Sequence, residues 1–315
     1  MSLPAAKYVA LAAETKACRQ LLSAFARGRG SHAYLLESPD TLLSVCCAAA
    51  VACADGAPSA DLSSARSRRI LGGLCADVLF FGDGGLKAED ADAIVSGCLV
   101  TPSELKLRYY ILNMTDANEA AQNKLLKTLE ESPECAVFFL AAPSRSSLLP
   151  TVASRCETVT PVLGDDVAEL PGGTGAYLAH ARYGGRGSLT AYEGLLSGES
   201  AGSLSAAIEF VTRLAAGERL RAASALPGKR DELAAVLGFT EKIYGDIMKY
   251  ECGMPVDTYG LFDIGATAAA YPLRALPSVL AEVRRAVRRS GTGNLTSVAD
   301  ALVIRITEVV SQCRE

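Results

Sequence analysis

Glu119-Ala-Ala-Gln-Asn-Lys-Leu-Leu-Lys-Thr-Leu-Glu-Glu-Ser-Pro-Glu134, then Ala136-Val-Phe-Phe-Leu-Ala-Ala142, then Leu148-Leu-Pro-Thr-Val-Ala-Ser-Arg-Cys156, is the stretch whose reading decides the fold. In the first segment Ala121, Leu125, Leu126 and Leu129 recur at three- and four-residue spacing, with Lys124, Lys127 and Glu131 on the opposite side, which predicts a helix packed on one face. Pro133 stops it. Residues 136 to 141 are apolar without alternation, as in a strand covered on both faces of a parallel sheet. Leu148, Leu149 and Val152 then bury a short helix that tolerates Pro150 in its first turn, and Arg155 arrives at its end.

Working outward, strands at 33–37, 77–81, 108–112, 136–141 and 157–160 alternate with helical segments, so the first 160 or so residues form a parallel α/β layer structure. Residues 14 to 27 read as an amphipathic helix with Ala17, Leu21, Leu22 and Phe25 on one side and Lys16, Arg19 and Arg27 on the other, closed by Gly28 and Gly30. Residues 163 to 175 are a linker by composition. Helix-sized pieces broken at 184–187 follow, and helical periodicity then dominates 203–216, 230–250, 272–289 and 297–312. The last of these carries the stripe Val298, Ala301, Leu302, Ile306 and Val309.

With 315 residues there is room for two or three domains, each with its own core. A net charge of −4 gives no global case for nucleic-acid binding, so any such contact is local. Ten cysteines are scattered without a C-x-x-C pair, and the N-terminus reads as no secretory signal; free thiols in a reducing cytosol are expected. The longest apolar run, 45–54, is too short to span a bilayer.

The register N-x-L-L-K-T-L-E-E-x-P-E, strand, L-L-P-T-x-x-S-R-C resembles the clamp-loader branch of the AAA+ ATPases, and within it the delta-prime group of DNA polymerase III subunits. That resemblance implies an AAA+ P-loop-NTPase-like domain at 1–162, a helical lid at 163–202 and an all-α collar at 203–315. A working P-loop reads G-x-x-x-x-G-K-[ST], because glycines let backbone amides wrap phosphates, lysine neutralises them and the hydroxyl holds magnesium. Here the register holds Ser38, Pro39, Asp40, Thr41, Leu42, Leu43, Ser44 and Val45. Asp40 places a negative charge beside the would-be phosphates. The acidic pair of an active relative falls on Leu112 and Asn113, and the polar residue after the fourth strand falls on Pro143. No ATP, other cofactor or metal is expected to bind. Asp116, in a D-x-x-E arrangement with Glu119, is the preferred N-cap of the central helix, with Asn118 as rival.

Arg155 carries two readings. As a helix cap it satisfies the negative end of the preceding helix, worth up to about 1 kcal/mol. The resemblance favours the other, an arginine finger offered in trans to a neighbour's phosphate, with Ser154 and Cys156 placing it. Glu130 and Glu131 lie at a helix C-terminus, where acidic charge is mildly unfavourable, which suggests an interface or an intramolecular basic partner, with a solvated pair as the alternative that the sequence does not separate from these. Relatives carry a four-cysteine zinc module after the helix at 42–54; here Cys53 matches its first ligand, while the others fall near Leu62, Ala65 and Arg68. Cys46, Cys47 and Cys75 have spacing unlike structural zinc motifs. No zinc is expected, and 61–69 is read as a mobile loop. Arg284, Arg285, Arg288 and Arg289 form a basic stripe that faces DNA, an acidic partner surface or solvent, with no aromatic residues interleaved as single-strand stacking would need. His32 and His180 read as structural.

Together these imply a cytoplasmic clamp-loader subunit that is not an enzyme by itself. Its partners would be a gamma/tau-like ATPase subunit and a delta-like subunit, and indirectly a sliding clamp and primed DNA, without a membrane. The alternative is an interaction scaffold of the same fold with no role in nucleotide hydrolysis.

Overall fold

The structure, a computed structural model, describes residues 3–82, 85–131, 133–163, 178–185 and 188–313. The chain forms two compact units, one comprising Met1–Pro171 with Gly187–Thr190, the other Gly172–Arg186 with Ala191–Glu315. Most of the linker reading at 163–175 lies outside the described residues.

The first unit is built on five parallel strands, β1 (Ala33–Glu37), β2 (Val78–Phe81), β3 (Arg108–Asn113), β4 (Ala136–Ala142) and β5 (Glu157–Val159), in the order β2-β3-β4-β1-β5. All seven residues of the central β4 are buried. Their side chains alternate between two cores, which is why the run shows no polar positions. Leu35, Tyr110, Leu112, Phe138 and Leu140 face α5 (Ala88–Gly97), α6 (Glu119–Glu130) and α7 (Pro150–Ala153). The opposite face, where Tyr34 stacks on Phe139 at 5.5 Å, is covered by α1 (Ala6–Glu14), α2 (Lys16–Ala26) and α3 (Thr41–Ala54). Residues 43–54 of α3 are all buried, and their Ala, Cys and Ser side chains allow helices and sheet to approach from every side.

Two local expectations change. Residues 65–71 form a helix, α4 (Ala65–Leu71), instead of a mobile loop. Ser64 caps it, Ile70 is fully buried, Arg66 pairs with Asp55 at 3.7 Å, and Arg69 makes a two-pronged contact to Glu104 at 2.6 and 2.9 Å. Two of its arginines therefore fasten the segment to the rest of the unit. Asp116 is not the cap of α6: it lies in the left-handed region at φ 58°, and Asn118 Oδ1 accepts from Ala121 N at 2.7 Å. The N-terminal segment is also helical, with Tyr8, Val9 and Ala12 buried against α3.

Two buried aspartates tie the segment before β3. Asp77 accepts the amides of Ser103, Glu104 and Leu105 at 2.6 to 3.0 Å. Burial opposes its charge, but these amides outweigh burial and hold the carboxyl below its ordinary value. Asp55 ends α3 in the left-handed region and accepts from Lys106 N and Tyr109 OH.

The described part of the second unit is helical: α8 (Leu178–Gly184), α9 (Leu189–Leu196, begun in the first unit), α10 (Ala201–Ala215), α11 (Arg219–Ser224), α12 (Arg230–Glu251), α13 (Ile264–Ala268), α14 (Leu276–Ser290) and α15 (Leu295–Gln312). Phe210, Val236, Ile243, Ile247, Val283 and Ile306 build its core along α10, α12, α14 and α15. Val298, Leu302 and Ile306 of the expected α15 stripe are buried, whereas Ala301 and Val309 are only partly so. The helix expected from residue 272 begins at Leu276, after a 3-10 turn at Leu273–Ala275. No helix among the described residues is long and apolar enough to cross a membrane.

Candidate functional site

Ligand crevices in parallel α/β sheets lie at the carboxyl ends of the strands. Here β1 passes into α3 through only Ser38, Pro39 and Asp40. Both polar side chains of this turn are engaged internally. Ser38 Oγ accepts from Asp40 N at 3.2 Å, Asp40 Oδ1 from Leu43 N at 3.4 Å, and Ser44 Oγ donates to Leu36 O at 3.1 Å. The Asp40 carboxylate also receives Leu189 N and, at 2.6 Å, Thr190 Oγ1, both within the first unit. Leu43 and Ser44, at the register of the second glycine and the lysine, are buried; Thr41 is partly exposed. The three-residue turn contains no glycine, and the helix N-terminus that would face a phosphate already holds the Asp40 carboxylate.

The neighbouring strand ends are closed as well. Leu112 is fully buried, and Asn113 Oδ1 accepts from Thr115 N at 3.0 Å. Gly82, at φ 94°, sits so close to Asn113 O that a Cβ there would lie 2.2 Å away, so only glycine fits. Pro143 follows β4 directly.

Arg155 is held by α6 and α7. Leu149, Pro150 and Val152 start α7 against α6, with proline at the first helical position. Gln122, buried on the otherwise apolar face of α6, bridges the two: its Nε2 donates to Ala117 O at 3.1 Å and its Oε1 accepts from Leu149 N at 2.8 Å. At the far end Arg155 Nη1 donates to Thr151 O at 2.8 Å and Nη2 to Glu130 Oε2 at 2.9 Å. Glu130 thus has an intramolecular basic partner, whose side chain stays 30% exposed while that of Glu130 is 61% exposed. Arg155 Nε is buried without a partner. Ser154 Oγ donates to Thr151 O, and Cys156 is buried with its thiol pushed up to about 11 by burial, so it is a packing residue and not a nucleophile at neutral pH.

Gln122 carried one sequence signal that was not used: a polar residue on a buried helical face needs a partner. The role of Asp40 had no local signal, because its partners lie far along the chain.

The other candidates lie elsewhere. Cys18, Cys46, Cys47, Cys53, Cys75 and Cys98 are buried free thiols, and no group of three metal-ligating side chains occurs among the described residues. His32 Nε2 bonds Leu129 O at 2.9 Å, and His180 bonds Ser205 Oγ. In the α14 stripe Arg284 pairs with Glu241 and Arg285 with Glu282, leaving Arg288 and Arg289 at its exposed end.

No curated protein matches the sequence. Among solved structures the chain is similar to a DNA polymerase III gamma subunit-related protein from Thermotoga maritima, at 15% identity and a TM-score of 0.44, covering 92% of this chain and 99% of that one. It is also similar to the Bacillus subtilis DNA clamp loader delta protein, at 10% identity and a TM-score of 0.35 with the same coverage. The profile of the family described as DNA polymerase III, delta subunit, matches residues 13–161. That span contains β1 to β5, the closed turn after β1 and the helix that ends in Arg155. Through this match the α/β unit of the chain is similar to the DNA polymerase III delta-subunit family.

Proposed function

We propose that the chain is the delta-prime-type subunit of a DNA polymerase III clamp loader, one that binds no ATP itself and offers Arg155 in trans to the ATP of a neighbouring gamma/tau-like subunit. The observation that carries this is the pairing of a closed strand-to-helix turn at Ser38–Asp40 with an intact, partly exposed arginine at the end of α7. A subunit with such a turn contributes to hydrolysis only by completing another subunit's site. The chain would end a ring that also includes a delta-like subunit and loads a sliding clamp on primed DNA in the cytoplasm, with the helices from α10 onward as its assembly collar.

A second reading has its own observation. Arg155 already caps Thr151 O and pairs with Glu130, which is what a purely structural arginine in a scaffold subunit would do.

Clamp- and DNA-stimulated ATPase of the reconstituted loader separates the two. With Arg155→Ala, turnover should fall about tenfold or more while the complex keeps its size, a smaller loss than the roughly thousand-fold effects at single-site GTPases because other sites remain. Unchanged turnover makes the chain a scaffold.

A further inference from the structure

Between Glu14 and Glu37 the chain carries no acidic residue, in a protein whose net charge is −4. Within that stretch Lys16, Arg19 and Arg27 recur along one side of α2, and Arg29 follows in the loop; all four are exposed. Gln20 and Ser23 lie between them, and the six border a shallow depression of about 540 Å³. None of the four cations has a hydrogen-bond or ion-pair partner among the described residues. Arg66, Arg69, Lys124 and Arg155 of the same unit, by contrast, all have carboxylate partners. Glu14 precedes the stretch in sequence, Glu157 lines a neighbouring pocket with Lys16 and Gln20, and Glu134 lines another with Gly28 and Gly30; none of the three lines the depression itself.

From this we infer that the outer face of α2 is a docking surface for the sugar-phosphate backbone of duplex DNA, a contact separate from Arg155. From Lys16 to Arg27 the helix runs about 16 Å, a length along which duplex DNA presents a negative charge every ~1.7 Å. The side-chain set of Arg, Lys, Gln and Ser is the one that contacts phosphates without reading bases. Single-strand binding would need aromatic platforms on the face. The aromatic ring of α2, Phe25, turns inward instead onto Tyr34 and Phe139 at 5.8 and 6.0 Å. An acidic protein surface would need a buried apolar anchor at its centre, and Ala24 is the only apolar side chain in the depression.

The test is anisotropy of a short fluorescein-labelled DNA duplex of arbitrary sequence with the full chain, titrated from about 50 to about 200 mM KCl. Four phosphate contacts predict an affinity loss on the order of a hundredfold across that range. Arg19→Ala with Arg27→Ala should lower affinity about tenfold at the low-salt end and flatten the log–log slope by about two. Arg19→Lys with Arg27→Lys should keep the slope, and Arg288→Ala with Arg289→Ala should leave the α2-dependent part intact. The inference is overturned if the natural chain does not bind at low salt or the α2 alanine variant binds unchanged. It is also overturned if single-stranded DNA binds more tightly than duplex, or if polyglutamate displaces the duplex at equal charge concentration. None of these outcomes bears on the ATPase test of Arg155.

Discussion

Two corners of one sheet have gone opposite ways. After β1, the turn at Ser38–Asp40 is short and saturated with its own hydrogen bonds, with its carboxylate buried. After α7, Arg155 remains partly exposed, held by a carbonyl and an exposed carboxylate. The difference teaches where each residue's energy goes. At the first corner the polar groups stabilise the fold, since unmaking them strands buried donors. At the second they stabilise it little, because an ion pair with both partners partly exposed is worth at most about 1 kcal/mol.

The largest effect should come from the closed corner. Asp40→Ala removes the cap of α3 and the acceptor of Leu189 N and Thr190 Oγ1, and should destabilise by about 3 kcal/mol in urea unfolding. A loss under about 1 kcal/mol would break the comparison, since Asp40 would then be as dispensable as a surface residue. Gln122→Ala should cost about 2 kcal/mol, because the part-buried Leu149 N loses its acceptor. In the reconstituted loader the same variant should reduce turnover without altering the ring's size, as α7 loses its anchor. Asp77→Asn, at the opposite edge of the sheet, gives a calibration for a structural carboxylate at about 2 kcal/mol near neutrality. Because the folded carboxyl titrates below its ordinary value of 3.8, its stabilisation is full above that pH and is lost as pH falls through the lower folded value. The gap between natural chain and variant should therefore close on acidification, and a gap independent of pH would assign the effect to packing. The smallest change is expected of Glu130→Gln, under about 1 kcal/mol in stability. A larger loss would mean that Arg155 is committed to its own chain.

The sheet and its central helix were legible because their signals are local and repeated. An uninterrupted apolar run such as 136–141 has few other homes, and α6 shows its periodicity in the sequence. That residues 38–45 lack the glycines and lysine of a phosphate loop was legible for the same reason, as residue types missing from a fixed register. What replaced it was not, because Asp40 bonds to Leu189 and Thr190, some 150 positions away. Likewise α4 has weak helical periodicity of its own and is held by Arg66 to Asp55 and Arg69 to Glu104, contacts that only the assembled sheet brings together. The choice between Asp116 and Asn118 was decided by backbone geometry that either side chain tolerates. For Arg155 the sequence supplied the residue and the helix end, and the structure added Glu130 as its partner.

The carboxylate of Asp40 is covalently part of the chain, so the helix end it occupies has no binding isotherm. Its occupancy does not follow the adenylate energy charge of the cell, and no exchange factor or cycle of turnover can empty it. In the assembly proposed above, whose other subunits would respond to a diffusible ligand, a partner with a permanent internal anion would serve as a fixed reference for their transitions.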